Sequence, residues 1–401
     1  MHFMLVLYAG DYRNAWYRIQ SGKPPTWHGH PFMVERFSEM SKHHQVTVFT
    51  CKSETAYEET LPDGCRVIEA GLADPVKQHR ELVAQVAAQN PTHLMVRAPM
   101  MSILRWASHQ KDLRTIAALA NSYHQNTWRE RLKNWRTARL FNHPKIEWVF
   151  NHNINSSYSL QKIGVNPAKI IPWDWPQIWL NRESKPFPPR SETQPWTMFY
   201  VGSVIPEKGV GDGINAVAKL RQAGIPMQFK VAGKGNLDLF KQQAARLGVS
   251  DAVTFLGLIP NVEVIDTMAA ADLVLISSRH NYPEGFPFTI NQALLSRTPI
   301  IASDHPMFAG ILQHQESAMI FPAGDGEAIA RCAQALITSP SLYASLSQNS
   351  QAAWEFLQVP VRWGDVIDRW LADRPGDRQW LADHSLQSGC YQARIDRLSP
   401  R

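Results

Sequence analysis

Residues 271–304 read ADLVLISSRHNYPEGFPFTINQALLSRTPIIASD. Leu273–Ile276 is a short apolar run of the kind a strand buried on both faces needs. Pro283, Gly285 and Pro287 then break any regular structure. Thr289 is placed to cap a helix whose apolar face is Ile290, Ala293 and Leu294. Thr298-Pro299 ends that helix, and Ile300–Ala302 is the next strand. This order puts the Glu284 carboxylate at the carboxyl end of a strand, beside a helix N-terminus. Open α/β sheets bind ligands at that end. The free N–H groups of a first helical turn favour a phosphate.

The same alternation extends in both directions. Upstream of residue 172, strands are expected at Phe3–Tyr8, Val46–Phe49, His93–Val96, Thr115–Leu119 and Glu147–Phe150. Helical segments fall at Arg36–Met40 and Arg80–Gln89. A second series has strands at Thr197–Val201, Met227–Ala232 and Val253–Leu256, with helices at Val210–Gly224, Leu237–Leu247 and Val262–Ala270. Helices at Glu327–Thr338 and Leu342–Leu357 follow. Strands alternating with helices predict α/β architecture with parallel, doubly wound sheets. A length of 401 residues predicts two domains. The boundaries drawn are 1–172 and 197–357, joined by a proline-dense linker, 173–196, around the run PWDWP. Residues 373–401 are polar and Arg-rich with little periodicity, which predicts a poorly packed tail.

Glu284-Gly285-Phe286 followed by a polar residue at the start of the next helix resembles the donor-sugar signature of retaining glycosyltransferases of the GT-B fold, glycosyltransferase family 4 in particular. The family has a second Glu where this chain has Gln292. The resemblance implies two Rossmann-like domains facing a cleft, with a last helix, about 358–371, packing back on the first. It implies Glu284 against the transferred sugar and Gln292 at the ribose hydroxyls. Phe288 and Thr289 would offer backbone N–H groups to the distal phosphate, next to Gly285 and Phe286. The Gln has a physical cost. Glu accepts from two hydroxyls, whereas Gln accepts with one atom and donates with the other. The change from a charged to a neutral hydrogen bond costs about 1 kcal/mol, and against it one negative charge is removed from beside the diphosphate.

Other elements extend the resemblance. Gly202-Ser203 through Glu207-Lys208-Gly209 resembles a diphosphate-binding loop, with Lys208 at the family's lysine and Ser203 where Arg is common. An ammonium there offsets charge growing on a leaving diphosphate; the bland alternative is a surface lysine that the helix dipole disfavours. Arg279 is a candidate for the missing cation. Gly233 and Gly235 resemble a second glycine element, where backbone approaches a ligand closely. Leu258 and Ile259 fall where the family's backbone meets the nucleobase. His124 is the candidate near the sugar, with His28, His30, His109, His143 and His152 as competitors. Gly29 and His30, with Gly10, are the acceptor-side candidates.

Hydrophobic content of 44% and charged content of 19% are ordinary for a soluble globular chain, and no run is long enough to span a bilayer. The four cysteines are far apart with no C-x-x-C pair, so neither zinc nor a disulfide framework is indicated and a reducing cytoplasm is expected. Residues 1–195 hold about 24 Lys and Arg against about 16 Asp and Glu, a surplus of roughly 8 that would draw an anionic acceptor or membrane surface, or that is simply a solvated face. The helix WRERLKNWRTARL, 128–140, has two readings. Leu132, Trp135 and Leu140 with the basic stems lie on the inner face of a membrane, or they form a stripe in the core. The core reading is the expected one. No metal-binding pattern appears.

Together with these features, the resemblance implies a cytoplasmic, metal-independent, retaining transferase of polysaccharide or cell-envelope biosynthesis. It would move a sugar from a nucleoside diphosphate donor, of UDP or GDP type, to a hydroxyl acceptor, with no other cofactor and no nucleic-acid partner. The alternatives are a nucleotide-sugar binding protein that no longer transfers, and a GT-B epimerase or phosphorylase.

Overall fold

The computed structural model describes every residue except 124, 126, 177–179, 192, 283, 285–287 and 399–401. The chain divides into two compact units, Met1–Pro176 with Val359–Ser399, and Gln177–Gln358.

Unit 1 is built on an eight-stranded sheet. Its strands are β1 (His2–Ala9), β2 (Gln45–Lys52), β3 (Ala56–Thr60), β4 (Arg66–Leu72), β5 (His93–Val96), β6 (Arg114–Leu119), β7 (Ile146–His152) and β8 (Ile170–Trp173). The order is β3-β4-β2-β1-β5-β6-β7-β8. The central strands are apolar throughout because helices cover both faces; Phe3, Met4, Leu5 and Val6 are all fully buried. One strand departs from the expected parallel pattern. β3 is antiparallel to β4, joined by a tight turn through Pro62-Asp63-Gly64. It is an edge strand with exposed Glu58 and half-buried Glu59, and charge at an edge blocks further pairing.

The strand order reverses between β1 and β5. β1 pairs with β2 on one side and with β5 on the other. A doubly wound sheet has its ligand crevice at the carboxyl ends of the two strands flanking such a switch.

The C-terminal residues complete this unit. The helix Trp363–Ala372 buries Trp363, Val366, Ile367 and Trp370 in the core of unit 1. The Trp370 indole donates to Glu147 Oε2 at 3.0 Å. Residues 373–398 are not the loose tail that their composition predicts. They form helices Pro375–Asp383 and Gln392–Leu398, and Leu381, Leu386, Tyr391 and Ile395 join the same core. The arginines that made the segment look like tail are tied down. Arg394 is buried and donates to Asn153 Oδ1 at 2.7 Å, Arg374 donates to the buried Asp377, and Arg378 donates to Asp373.

Unit 2 has a six-stranded parallel sheet: β9 (Trp196–Val201), β10 (Met227–Ala232), β11 (Val253–Gly257), β12 (Leu273–Ile276), β13 (Ile300–Ser303) and β14 (Met319–Phe321). The order is β11-β10-β9-β12-β13-β14, so the switch falls between β9 and β12. An apolar cluster lies on each face, one around Ile214, Val217 and Phe229, the other around Ile290, Leu294 and Met268.

The helix Trp128–Phe141 meets the expectation of a core stripe only at Leu140, which packs against the core of unit 1, while Leu132 and Trp135 face outward. A Thr127–Glu130 capping box starts it. Asn134, Thr137, Ala138 and Phe141 face inward, while Trp128, Leu132 and Trp135 are 70%, 42% and 56% exposed. Small and polar residues fit the space over the sheet, and the two indoles are left outside beside Arg129 and Arg139.

Candidate active site

The site in unit 2 grows from the ends of β9 and β12. After Val201 the chain leaves the sheet at Gly202, and a single 3₁₀ turn, Pro206–Lys208, leads into the helix Val210–Gln222. The joint is Gly209, at φ +72°. A Cβ there would lie 2.1 Å from the Ser277 carbonyl oxygen, so only glycine lets this turn reach the end of β12. The contact is locked by Ser277 Oγ, which donates to the Lys208 carbonyl at 2.9 Å.

That approach brings Lys208 to Glu284. The ammonium donates to Glu284 Oε1, and the two side chains are only 15% and 7% exposed. Ser278 Oγ donates to the same Oε1 at 2.5 Å and lies 3.4 Å from the ammonium. The Tyr282 ring sits 4.2 Å from Lys208 Nζ, a cation–π distance. Burial, and then the Glu284 charge, raises the Tyr282 hydroxyl above its ordinary pKa. The Tyr282 backbone is held by His305, which is fully buried. His305 Nδ1 accepts from the Met307 N–H at 3.1 Å, so Nε2 carries the proton and donates to the Tyr282 carbonyl at 3.1 Å.

The other expected residues are placed less uniformly. Ser203 is exposed, and its carbonyl accepts from the Tyr200 hydroxyl at 2.8 Å. Arg279 is engaged elsewhere: it donates through Nε and Nη2 to the buried Asp212, at 3.0 and 2.5 Å. Gln292 is buried and donates to Asn261 Oδ1 at 3.2 Å. Leu258 is exposed and Ile259 half-buried beyond the end of β11. The helix after the loop runs Phe288–Ser296, so Thr289 sits inside its first turn and does not precede it as a cap. Arg297, at φ +63°, ends that helix in the left-handed region. Gly233 and Gly235 have a backbone reason to be glycine. A Cβ on Gly233 would lie 1.8 Å from the Gly202 carbonyl oxygen, and one on Gly235 2.3 Å from that of Val204. Gly285, Phe286 and His124 lie outside the described residues.

In unit 1, Gly29 precedes the helix His30–Ser41 at φ −80°. Its small size is needed by neighbouring rings, since a Cβ would lie 2.4 Å from Trp27 and 2.8 Å from Trp175. Burial lowers the His30 pKa. Gly10 follows β1 at φ +134°. His152 lies beside Trp173, and its Nε2 is 2.8 Å from Asp174 Oδ1, both residues buried.

Ser278, Tyr282, Asp212 and His305 were not singled out from the sequence. Ser278 and Tyr282 lie between β12 and Glu284, six and two residues before the carboxylate. Asp212 and His305 are on other elements and show no local signal. Among the described residues, no group of three or more His, Cys, Asp or Glu is placed to hold a metal ion.

The architecture and sequence can be set beside known proteins. Over 93% of this chain, the structure superposes on 98% of Anabaena HepE in complex with UDP and glucose, with a TM-score of 0.63 at 15% identity. It also superposes on sucrose-phosphate synthase from Thermosynechococcus elongatus, with a TM-score of 0.68 at 14% identity over 93% and 100% of the two chains. Both are GT-B glycosyltransferases. The chain has the GT-B fold. At these identities the likeness concerns the fold alone.

Residues 181–353, the part of the chain that contains the GT-B chain's Lys208–Glu284 pair, match the family model described as Glycosyl transferases group 1. An amylovoran biosynthesis glycosyltransferase, AmsK, of Erwinia amylovora is 28% identical over 34% of this chain and 35% of its own. A lipopolysaccharide core biosynthesis mannosyltransferase, LpcC, of Rhizobium leguminosarum bv. viciae is 31% identical over 28% and 31%. The chain spans about a third of the length of these curated relatives.

Proposed function

We propose that this protein is a retaining glycosyltransferase that moves a sugar from a nucleoside diphosphate sugar to a hydroxyl acceptor without a metal ion. The single observation that carries the reading is the Lys208–Glu284 pair at the β9/β12 switch, inside the segment that matches the family model. The donor binds unit 2 and the acceptor unit 1. An ammonium has three N–H donors, and Lys208 turns one or more toward the diphosphate when the donor arrives. Both bonds to Glu284 fall on Oε1, which leaves Oε2 to accept a sugar hydroxyl and orient the ring.

In the reaction the bond from the anomeric carbon to the diphosphate oxygen breaks. The acceptor oxygen bonds to that carbon on the same face, and the acceptor's proton passes to the departing diphosphate oxygen. Lys208 and the first turn of the helix Phe288–Ser296 stabilise the charge that grows on the leaving group. His124 belongs to this proposal as a sugar contact. Relatives in amylovoran and lipopolysaccharide synthesis support an acceptor in cell-envelope polysaccharide. The protein works in the cytoplasm, held to the inner membrane face by the exposed Trp128, Leu132 and Trp135.

One observation favours a second reading, a nucleotide-sugar binding protein without transfer. Gln292 is a neutral amide paired with Asn261 where the family has a carboxylate.

The deciding experiment is calorimetric titration of UDP, GDP, ADP and dTDP in EDTA, into wild type and Lys208→Ala. One nucleotide binding wild type, and weakening by about 1–3 kcal/mol in the variant, supports the donor site. Binding by none of the four sinks both readings. Transfer or slow donor hydrolysis in EDTA then separates enzyme from binding protein, and turnover abolished by EDTA overturns metal independence.

A further inference from the structure

Unit 1 has its own switch-point crevice, between the carboxyl ends of β1 and β5. A cavity of about 440 Å³ opens there. Gly10 and Asp11 line it from the end of β1, Arg97 from the end of β5, and Trp27 and His30 from the chain before the second helix. All of these residues belong to unit 1.

Arg97 is the unusual member. Its guanidinium carbon lies 5.3 Å from the Trp27 ring, 5.2 Å from Trp173, and 5.1 Å from both Trp175 and Trp363. Four indoles hold the cation by their faces and edges. They supply no hydrogen-bond acceptor. Arg97 Nη1 is buried and has no partner. Burial alone pulls the guanidinium down to about 10, with no carboxylate near enough to raise it. Such a charge is costly unless an anion completes it. A packing role for the four-ring cage accounts for the rings but not for a donor left unpaired beside a cavity.

The cavity is also polarised. Asp11 places a carboxylate on its wall, and its Oδ1 accepts from the Asn14 N–H at 2.9 Å. Burial lowers His30, which keeps that ring neutral near pH 7. Arg97 therefore offers planar donors to an anion, Asp11 accepts from hydroxyls, and Trp27 offers a ring on which a pyranose can stack.

We propose that this crevice binds a sugar carrying a carboxylate or a phosphate, with the anionic group on Arg97, Trp27 beside the ring and Asp11 accepting from a hydroxyl. The proposal names the acceptor class and rests on the transferase reading for the word acceptor only; the anion site itself stands on the unit 1 geometry.

The test is an NMR titration of the full chain, following indole N–H resonances, with the Trp27 signal assigned through Trp27→Phe. The probes are glucuronate, inorganic phosphate and neutral glucose. The first two separate a carboxylate from a phosphate. The expected result is binding of one or both anions, sensed at Trp27, with glucose at least tenfold weaker. Arg97→Gln should weaken the anion at least tenfold, and Arg97→Lys, which keeps the charge, should weaken it less. Lys208→Ala should leave it unchanged, since that residue belongs to the other unit. Equal affinity in Arg97→Gln, loss of the signal in Lys208→Ala, or no preference for anions over glucose would overturn the proposal. If Arg97→Gln does not fold, the wild-type anion preference and the Arg97→Lys titration decide. Anion binding in a protein that binds no nucleotide would remove the transferase reading and keep the site.

Discussion

Lys208 and Glu284, 76 residues apart in the chain, meet as a nearly buried ion pair at the one point where unit 2's strand order reverses. Two groups chosen for chemistry thus also hold each other in place. Removing one partner leaves the other charged and desolvated, which costs about 3–5 kcal/mol. Lys208→Met should therefore lower the melting temperature, and adding Glu284→Gln should restore more than half of the loss. Activity should not return with it. Each single variant and the double should lose more than tenfold in kcat/KM, about 1.4 kcal/mol or more. A stable double variant with wild-type turnover would reduce the pair to a structural role.

Arg279 poses a sharper choice. Its side chain is 42% exposed, but its partner Asp212 is only 2% exposed and receives two of its N–H groups. Arg279→Ala strands a buried carboxylate, so stability should fall by about 3 kcal/mol. Nucleotide affinity should fall much less than in Lys208→Ala. Calorimetry decides: an equal loss in both variants would make Arg279 the second phosphate cation.

The outward face of the helix Trp128–Phe141 makes a prediction about membranes. Trp128 and Trp135 are exposed indoles among exposed Arg129, Lys133, Arg136 and Arg139. Sedimentation with vesicles rich in anionic phospholipid should capture the protein, and neutral vesicles should not. Trp128→Ala and Trp135→Ala should each lose about fivefold in binding, on the order of 1 kcal/mol, without a change in melting temperature. Unchanged binding in both would place the membrane contact elsewhere or remove it.

Acid should weaken unit 1 before carboxylates begin to protonate. Burial holds His28 down to about 3; the Asp174 carboxylate acts against this and the Arg97 guanidinium with it. In the unfolded chain a histidine titrates near 6.5, so the unfolded state takes up a proton that the folded state refuses. The stability from this group is complete above about 6.5 and declines as pH falls toward 3, by at most about 1.4 kcal/mol per pH unit. Denaturant unfolding between pH 7 and 5 should show that slope, and His28→Phe should reduce it, the remainder coming from His2, His30 and His93, which burial also lowers. An unchanged slope would show that His28 is not the group responsible.

The strands were readable where burial on both faces makes an unbroken apolar run, as in Leu273–Ile276 and the start of Ile300–Ser303. β3 was missed because an edge strand alternates, and AYEET carries no apolar run. β8 was missed because Pro172 sits within it. The C-terminal helices were missed because their burial falls on a few large residues, Leu381, Tyr391 and Ile395, among polar ones, and because the buried Arg394 has its partner, Asn153, far away in sequence. Lys208 and Glu284 were legible because each stands in a motif beside a strand end. Their union was not, because it depends on Gly209 allowing a backbone approach of a kind no local pattern records. Arg97 was invisible for the same reason: its four indoles come from three separate stretches of chain.

Arg394 and the helix Trp363–Ala372 give the order of synthesis a consequence. A ribosome delivers residues 1–176 first, yet Trp363, Trp370 and the Arg394 partner of Asn153 arrive only after all of unit 2. Until then the indoles of Trp173 and Trp175 lack Trp363 to pack against. Unit 2 is continuous and can close while the chain is still being made. The earlier-made unit therefore cannot complete its core until residues 359–398 have followed unit 2, although most of its sheet is made first.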